Sequence, residues 1–150
     1  MELIATPFSG LFIIKPRIFE DQRGYFYESY NSQALKKQGI DYHFVQDNQS
    51  MSSYGIIRGL HYQILPHAQT KLVRVIEGSI YDVAVDLRKG FSTFGKWYGV
   101  ELSGENKLQL VIPKGFAHGF SVLSDRAIVL YKTDDFYNKE SERGILYNDP

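Results

Sequence analysis

The sequence predicts an all-β domain, an antiparallel sandwich or barrel, and three observations carry that prediction. Apolar and polar residues alternate with period two over several short runs. Clusters of turn-forming residues separate those runs at short, regular spacing. Aromatic residues make up 15% of the chain, mostly 11 tyrosines and 10 phenylalanines, which favour strands.

Taken in order along the chain, only NSQALKKQGI, residues 31–40, reads as helix, with Asn31 or Ser32 as its cap and Gly39 as its end. KLVRVI, residues 71–76, is a strand, followed by the turn EGS. In YDVAVDLR, residues 81–88, Val83, Val85 and Leu87 share one face and Asp82, Asp86 and Arg88 the other. KGFSTFG and SGEN are loops. KLQLVI alternates Leu108, Leu110 and Ile112 with Lys107 and Gln109. After the turn PKG comes HGFSVL, residues 118–123, and after LSD comes AIVLYK, where Ala127, Val129 and Tyr131 share a face. Such a series of short strands and turns argues for an antiparallel sandwich or barrel.

Bulk properties narrow the class. A chain of 150 residues is one domain, 1–150, large enough to bury about 70% of its unfolded surface. Seventeen basic and 17 acidic residues balance, with no basic block, so a nucleic-acid polymer is not an expected partner. Without cysteine there is no disulfide, thiolate nucleophile or zinc–cysteine site. The opening MELIATPFSGLFIIKPR lacks the basic region and cleavage site of a signal peptide. No run reaches the roughly 18 apolar residues of a membrane span. The expectation is a cytoplasmic, soluble protein.

The polar groups that carry chemistry cluster in RGLHYQILPHAQTKLVR, residues 58–74. Alternation sets His61 and Gln63 on one face, which suggests a wet cavity, although a lone strand histidine is more often structural. The same alternation sets Arg58 opposite His61 unless Gly59 marks a bulge. Lys71 shares a face with Val73 and Val75. It is either a solvated strand end or an inward ammonium able to stabilise an oxyanion. Tyr131 is either a core tyrosine or a proton donor. The four histidines, His43, His61, His67 and His118, show no recognised metal spacing, and His61-Tyr62-Gln63 lacks the second imidazole of an H-x-H pair. No glycine-rich phosphate loop is present, which leaves Arg23, Arg58 and Lys71 to hold any phosphates.

Six runs together resemble one known family: FEDQRGYFYESY, VQDNQSMSS, RGLHYQ, AQTKLVRVIEGSIYDVAVDLRKGFSTFGKW, IPKGFAHGFSVLS and YKTDDFYNKESERGILYNDP. The sequence is similar over its whole length to the dTDP-4-dehydrorhamnose 3,5-epimerases. The resemblance implies a cupin-type jelly-roll β-barrel with one or two short helices, a homodimer, and no metal or organic cofactor. It implies a dTDP-sugar substrate, dTDP-4-dehydro-6-deoxy-glucose, inverted at C3 and C5. His61 matches the family's general base, Tyr131 its general acid, and Lys71 the lysine beside the C4 oxygen. Arg23, Glu28, Gln46, Asp47, Asn48, Arg58, His118 and Glu142 match substrate-binding positions, and Tyr137 the tyrosine that stacks on thymine. Family members usually continue past the NDP motif with a segment whose aspartate pairs with the base, whereas this sequence ends at Pro150. Asp82 and Asp86 are the in-chain candidates for orienting His61. Three other readings stay open: an epimerase of one centre or a ketoisomerase, a weakly active nucleotide-sugar binder, and a metal-dependent cupin oxygenase.

Overall fold

A computed structural model describes residues 1–149 as two antiparallel sheets packed face to face, with a small hairpin and one short helix beside them. One sheet has the order β1 (Glu2–Ala5), β2 (Phe12–Lys15), β10 (Gln109–Ile112), β7 (Lys71–Glu77), β12 (Arg126–Thr133) and β5 (Gln46–Ser53). The other runs β13 (Glu142–Gly144), β6 (Ile57–Gln63), β11 (Phe116–Val122), β8 (Ser79–Asp86) and β9 (Trp97–Ser103). The hairpin is β3 (Phe19–Asp21) with β4 (Gly24–Phe26), and the helix is α1 (Ser32–Lys36).

The all-β expectation holds, and the alternating runs explain where the core sits. Val73 and Val75 of β7, Ala127 and Val129 of β12, and Leu110 and Ile112 of β10 point inward from the first sheet. They meet Ile80 and Ala84 of β8, Leu102 of β9, and Phe116, Phe120 and Val122 of β11. A second apolar cluster lies on the outer face of the first sheet, where Leu35 and Ile40 cover Ile14, Leu72 and Val111. This is the work of α1. The Asn31 side chain caps it by accepting from the Ala34 N–H at 3.0 Å. Gly39 then takes φ of 86° and the Ile40 N–H returns to the Leu35 carbonyl at 3.0 Å, so the helix ends sooner than its sequence pattern suggests.

Strand β8 departs from its apolar pattern. The face carrying Asp82, Ala84 and Asp86 is the buried one, and Val83 and Val85 are only half-buried. Partners are the condition for burying charge: Asp82 holds one through Oδ1, at His118 Nε2, while its buried Oδ2 makes no hydrogen bond. Asp86 receives Arg88 at 2.8 Å on each oxygen and the Thr93 hydroxyl at 2.6 Å. Burial opposes the Asp86 charge, but these donors and the Arg88 cation hold its carboxyl down at about 2.

β5 gave no alternation signal because it is polar on both faces, QDNQSMSS. It pairs with β12 along its whole length, from Gln46 opposite Thr133 to Ser53 opposite Arg126. That pairing turns one polar face toward the space between the sheets. No helix among the described residues is long and apolar enough to cross a membrane.

Candidate active site

A cavity of about 490 Å³ opens between the two sheets. β5 contributes Gln46, Asn48 and Ser50, β12 contributes Tyr131, and β7 contributes Lys71. From the facing sheet come Arg58, His61 and Gln63 of β6, His118 and Phe120 of β11, and Glu142 of β13. Tyr137, on the loop between β12 and β13, stands at its edge.

Arg58 and His61 both line the cavity because β6 does not follow simple alternation. The β6–β11 pairing slips between His118 and Phe120. Gly59, with φ of 129°, lies against Gly119 so closely that a Cβ on Gly59 would sit 2.5 Å from the Gly119 Cα. Two facing glycines thus permit the bulge that the sequence left open.

Lys71 is 9% exposed. Its ammonium donates to the His61 carbonyl at 3.5 Å and lies 5.8 Å from the centre of the Tyr131 ring. Burial pushes its pKa from 10.5 down to about 8, against the attraction of Asp82 and Glu142. At pH 7 the protonated form still leads by about ten to one. The site therefore holds a poorly solvated cation. Burial also raises the Tyr131 phenol above its ordinary pKa, helped by the Glu142 charge and opposed by Arg58. It stays protonated at neutral pH and can donate a proton. The His61 side chain is exposed to the cavity, directly across from His118 in the strand register.

Asp82 orients His118 rather than His61: its Oδ1 lies 2.7 Å from His118 Nε2. Asp86 is committed to Arg88 and Thr93. Neither candidate carboxylate is bonded to His61: β11 lies between β8 and β6 in the sheet, and the two aspartates are held by His118, Arg88 and Thr93.

Of the expected substrate-binding residues, Gln46, Asn48, Arg58, His118, Tyr137 and Glu142 line the cavity, and three do not. Asp47 lies on the opposite face of β5, where it pairs with Lys132 at 2.8 Å. Arg23 projects from the β3–β4 hairpin and pairs with Asp21. Glu28 accepts from Asn31 at 3.2 Å beside α1. Arg58 is set by its Nε donating to Ser52 Oγ at 2.7 Å. The Tyr137 hydroxyl donates to Glu142 at 2.8 Å, which raises its pKa. Gln63 and Gln69 also line the cavity and were not singled out by chemistry, although Gln63 shares the His61 face. Among the described residues, no three His, Asp or Glu side chains group as a metal cage. His67 instead lies 3.5 Å from Asp135.

The family profile of dTDP-4-dehydrorhamnose 3,5-epimerase matches residues 5–150. The chain belongs to the dTDP-4-dehydrorhamnose 3,5-epimerase family. It is 55% identical to the enzyme of that name from Shigella flexneri, over 99% of this chain and 83% of that one. A crystal structure of the Elizabethkingia anophelis enzyme superposes with a TM-score of 0.94 at 58% identity, over 99% of this chain and 82% of that one. The Legionella pneumophila epimerase, solved in complex with dTDP-4-keto-L-rhamnose, gives 0.95 at 53% identity over 99% and 79%. The cupin-type jelly-roll expected from the resemblance is the fold of these 3,5-epimerases.

Proposed function

We propose that the protein inverts C3 and C5 of dTDP-4-dehydro-6-deoxy-glucose to give dTDP-4-dehydro-L-rhamnose. The observation that carries this reading is the buried Lys71 ammonium sharing one cavity with an exposed imidazole and a protonated phenol. The C4 ketone acidifies the hydrogens on C3 and C5. His61 removes one of them, and negative charge moves to the C4 oxygen. Lys71 stabilises that enolate oxygen, a contact worth about 3 to 4 kcal/mol in a dry site. Tyr131 returns a proton from the opposite face and the centre inverts. Arg58 faces the diphosphate and Tyr137 the thymine ring, so binding energy far from the reacting carbons orients the sugar.

The protein acts as a homodimer in the cytoplasm on this reading. Arg23 and Glu28 lie outside the cavity of their own protomer, and they meet bound substrate only from a second copy. The β3–β4 hairpin that carries Arg23 exposes Phe19, Tyr25 and Phe26, each at least half-exposed, a patch suited to such an interface. Sedimentation as a monomer at assay concentration would remove this part of the reading.

NMR of the product from purified protein and dTDP-4-dehydro-6-deoxy-glucose tests the function. Inversion at both centres is expected. A product altered at one centre, or with its ketone moved to C3, would replace the assignment.

A further inference from the structure

Tyr137 is 55% exposed and its neighbour Phe136 is 62% exposed, so apolar packing does not fix the segment that carries the ring. Glutamine amides fix its backbone instead. Gln63, only 7% exposed, donates through Nε2 to the Phe136 carbonyl at 3.2 Å and to the His67 carbonyl at 2.6 Å. Its Oε1 accepts from the Asn138 N–H at 2.8 Å. One amide therefore grips the chain on both sides of Tyr137, which takes a donor and an acceptor in one side chain. Gln69 donates to the Asp135 carbonyl at 2.8 Å, and Gln46 accepts the Tyr137 N–H at 3.1 Å. The phenol itself is tied to Glu142.

We infer that Gln63 and Gln69 are positioning residues for nucleotide recognition, holding the Tyr137 ring in place for the base. This rests on the reading of Tyr137 as the stacking residue. The physical reason is pre-organisation. An exposed loop left free must be ordered when the nucleotide arrives, and that ordering is subtracted from affinity. Here the ordering is already complete. Gln63 also sits two residues from His61 on one strand, so the base platform and the proposed catalytic base are set by the same rigid element.

The test is a double-mutant cycle on Gln63→Met and Tyr137→Ala, read by calorimetric dTDP affinity and by steady-state kinetics on the dTDP-sugar. Gln63→Met is expected to weaken dTDP and raise KM by about tenfold, with kcat unchanged, since it removes the two neutral hydrogen bonds that hold the chain on either side of Tyr137. Gln69→Met, which removes one, should cost about threefold. In the Tyr137→Ala background both losses should nearly vanish. Equal losses in the two backgrounds, or a fall in kcat at unchanged KM, would overturn the inference while leaving Tyr137 as the stacking residue. If Tyr137→Ala leaves dTDP affinity intact, the stacking reading fails and the inference with it. Should Gln63→Met fold poorly by its melting curve, the Gln69→Met cycle decides by the same criteria.

Discussion

Replacing Lys71 with methionine separates what the cavity costs the fold from what it does for the reaction. The ammonium is 9% exposed and its one hydrogen bond, to the His61 carbonyl, is long at 3.5 Å. Holding its pKa at about 8 instead of 10.5 disfavours the charged form by roughly 3 kcal/mol, with the attraction of Asp82 and Glu142 already counted. The sign follows from proton binding. Between pH 8 and 10.5 the unfolded chain binds more protons than the folded one, so stability rises with pH across that window. Below pH 8 the full penalty is present. Methionine keeps the apolar stem and removes the charge. The variant should therefore be about 3 kcal/mol more stable than the parent at pH 7, falling to about 1 kcal/mol at pH 10. Its epimerase activity should drop by about 10² to 10³, the loss expected for one oxyanion stabiliser. Urea unfolding at the two pH values, with activity at pH 7, measures all three quantities. A variant less stable than the parent at pH 7, or a gain that does not change with pH, would refute the burial argument.

Tyr131→Phe should harm epimerisation by about 10² more than it harms solvent exchange at C3 and C5; equal loss of both would leave Tyr131 a structural residue. Gly119→Ala should destabilise by about 1 to 3 kcal/mol and lower activity, because its Cβ would meet the Arg58 carbonyl at 2.6 Å and push β6 off its bulge. Denaturation and turnover together check this. Asp86→Asn should cost about 2 kcal/mol at pH 7. The depressed Asp86 pKa stabilises the fold above 3.8 and ceases to do so as pH falls toward 2, so the difference between parent and variant should shrink on acid titration.

The layers of the fold were legible because β7, β10 and β12 each turn an apolar face to the core between the sheets, and period two reports that directly; that α1 covers Leu72 and Val111 on the outer faces of β7 and β10 was not. β5 was not, since both of its faces are polar and only pairing with β12 makes it a strand. β8 misled in another way. Its aspartates were offered to His61, and the structure gives them instead to His118, Arg88 and Thr93. His61, Lys71 and Tyr131 could be named from the sequence, but their meeting in one cavity is a product of topology. Arg58 joins them only through the Gly59–Gly119 contact, between residues 60 positions apart. Asp47 was named by resemblance together with Gln46 and Asn48, and the strand period turns it to the other face of β5, onto Lys132.

The central claim is that His61 takes the proton from carbon. His61→Ala, incubated with the dTDP-sugar in deuterium oxide, tests it most directly. The account predicts no deuterium at C3 or C5 by NMR while nucleotide-sugar binding is largely kept. Substantial incorporation at either carbon would contradict it and move the base to another residue of the cavity.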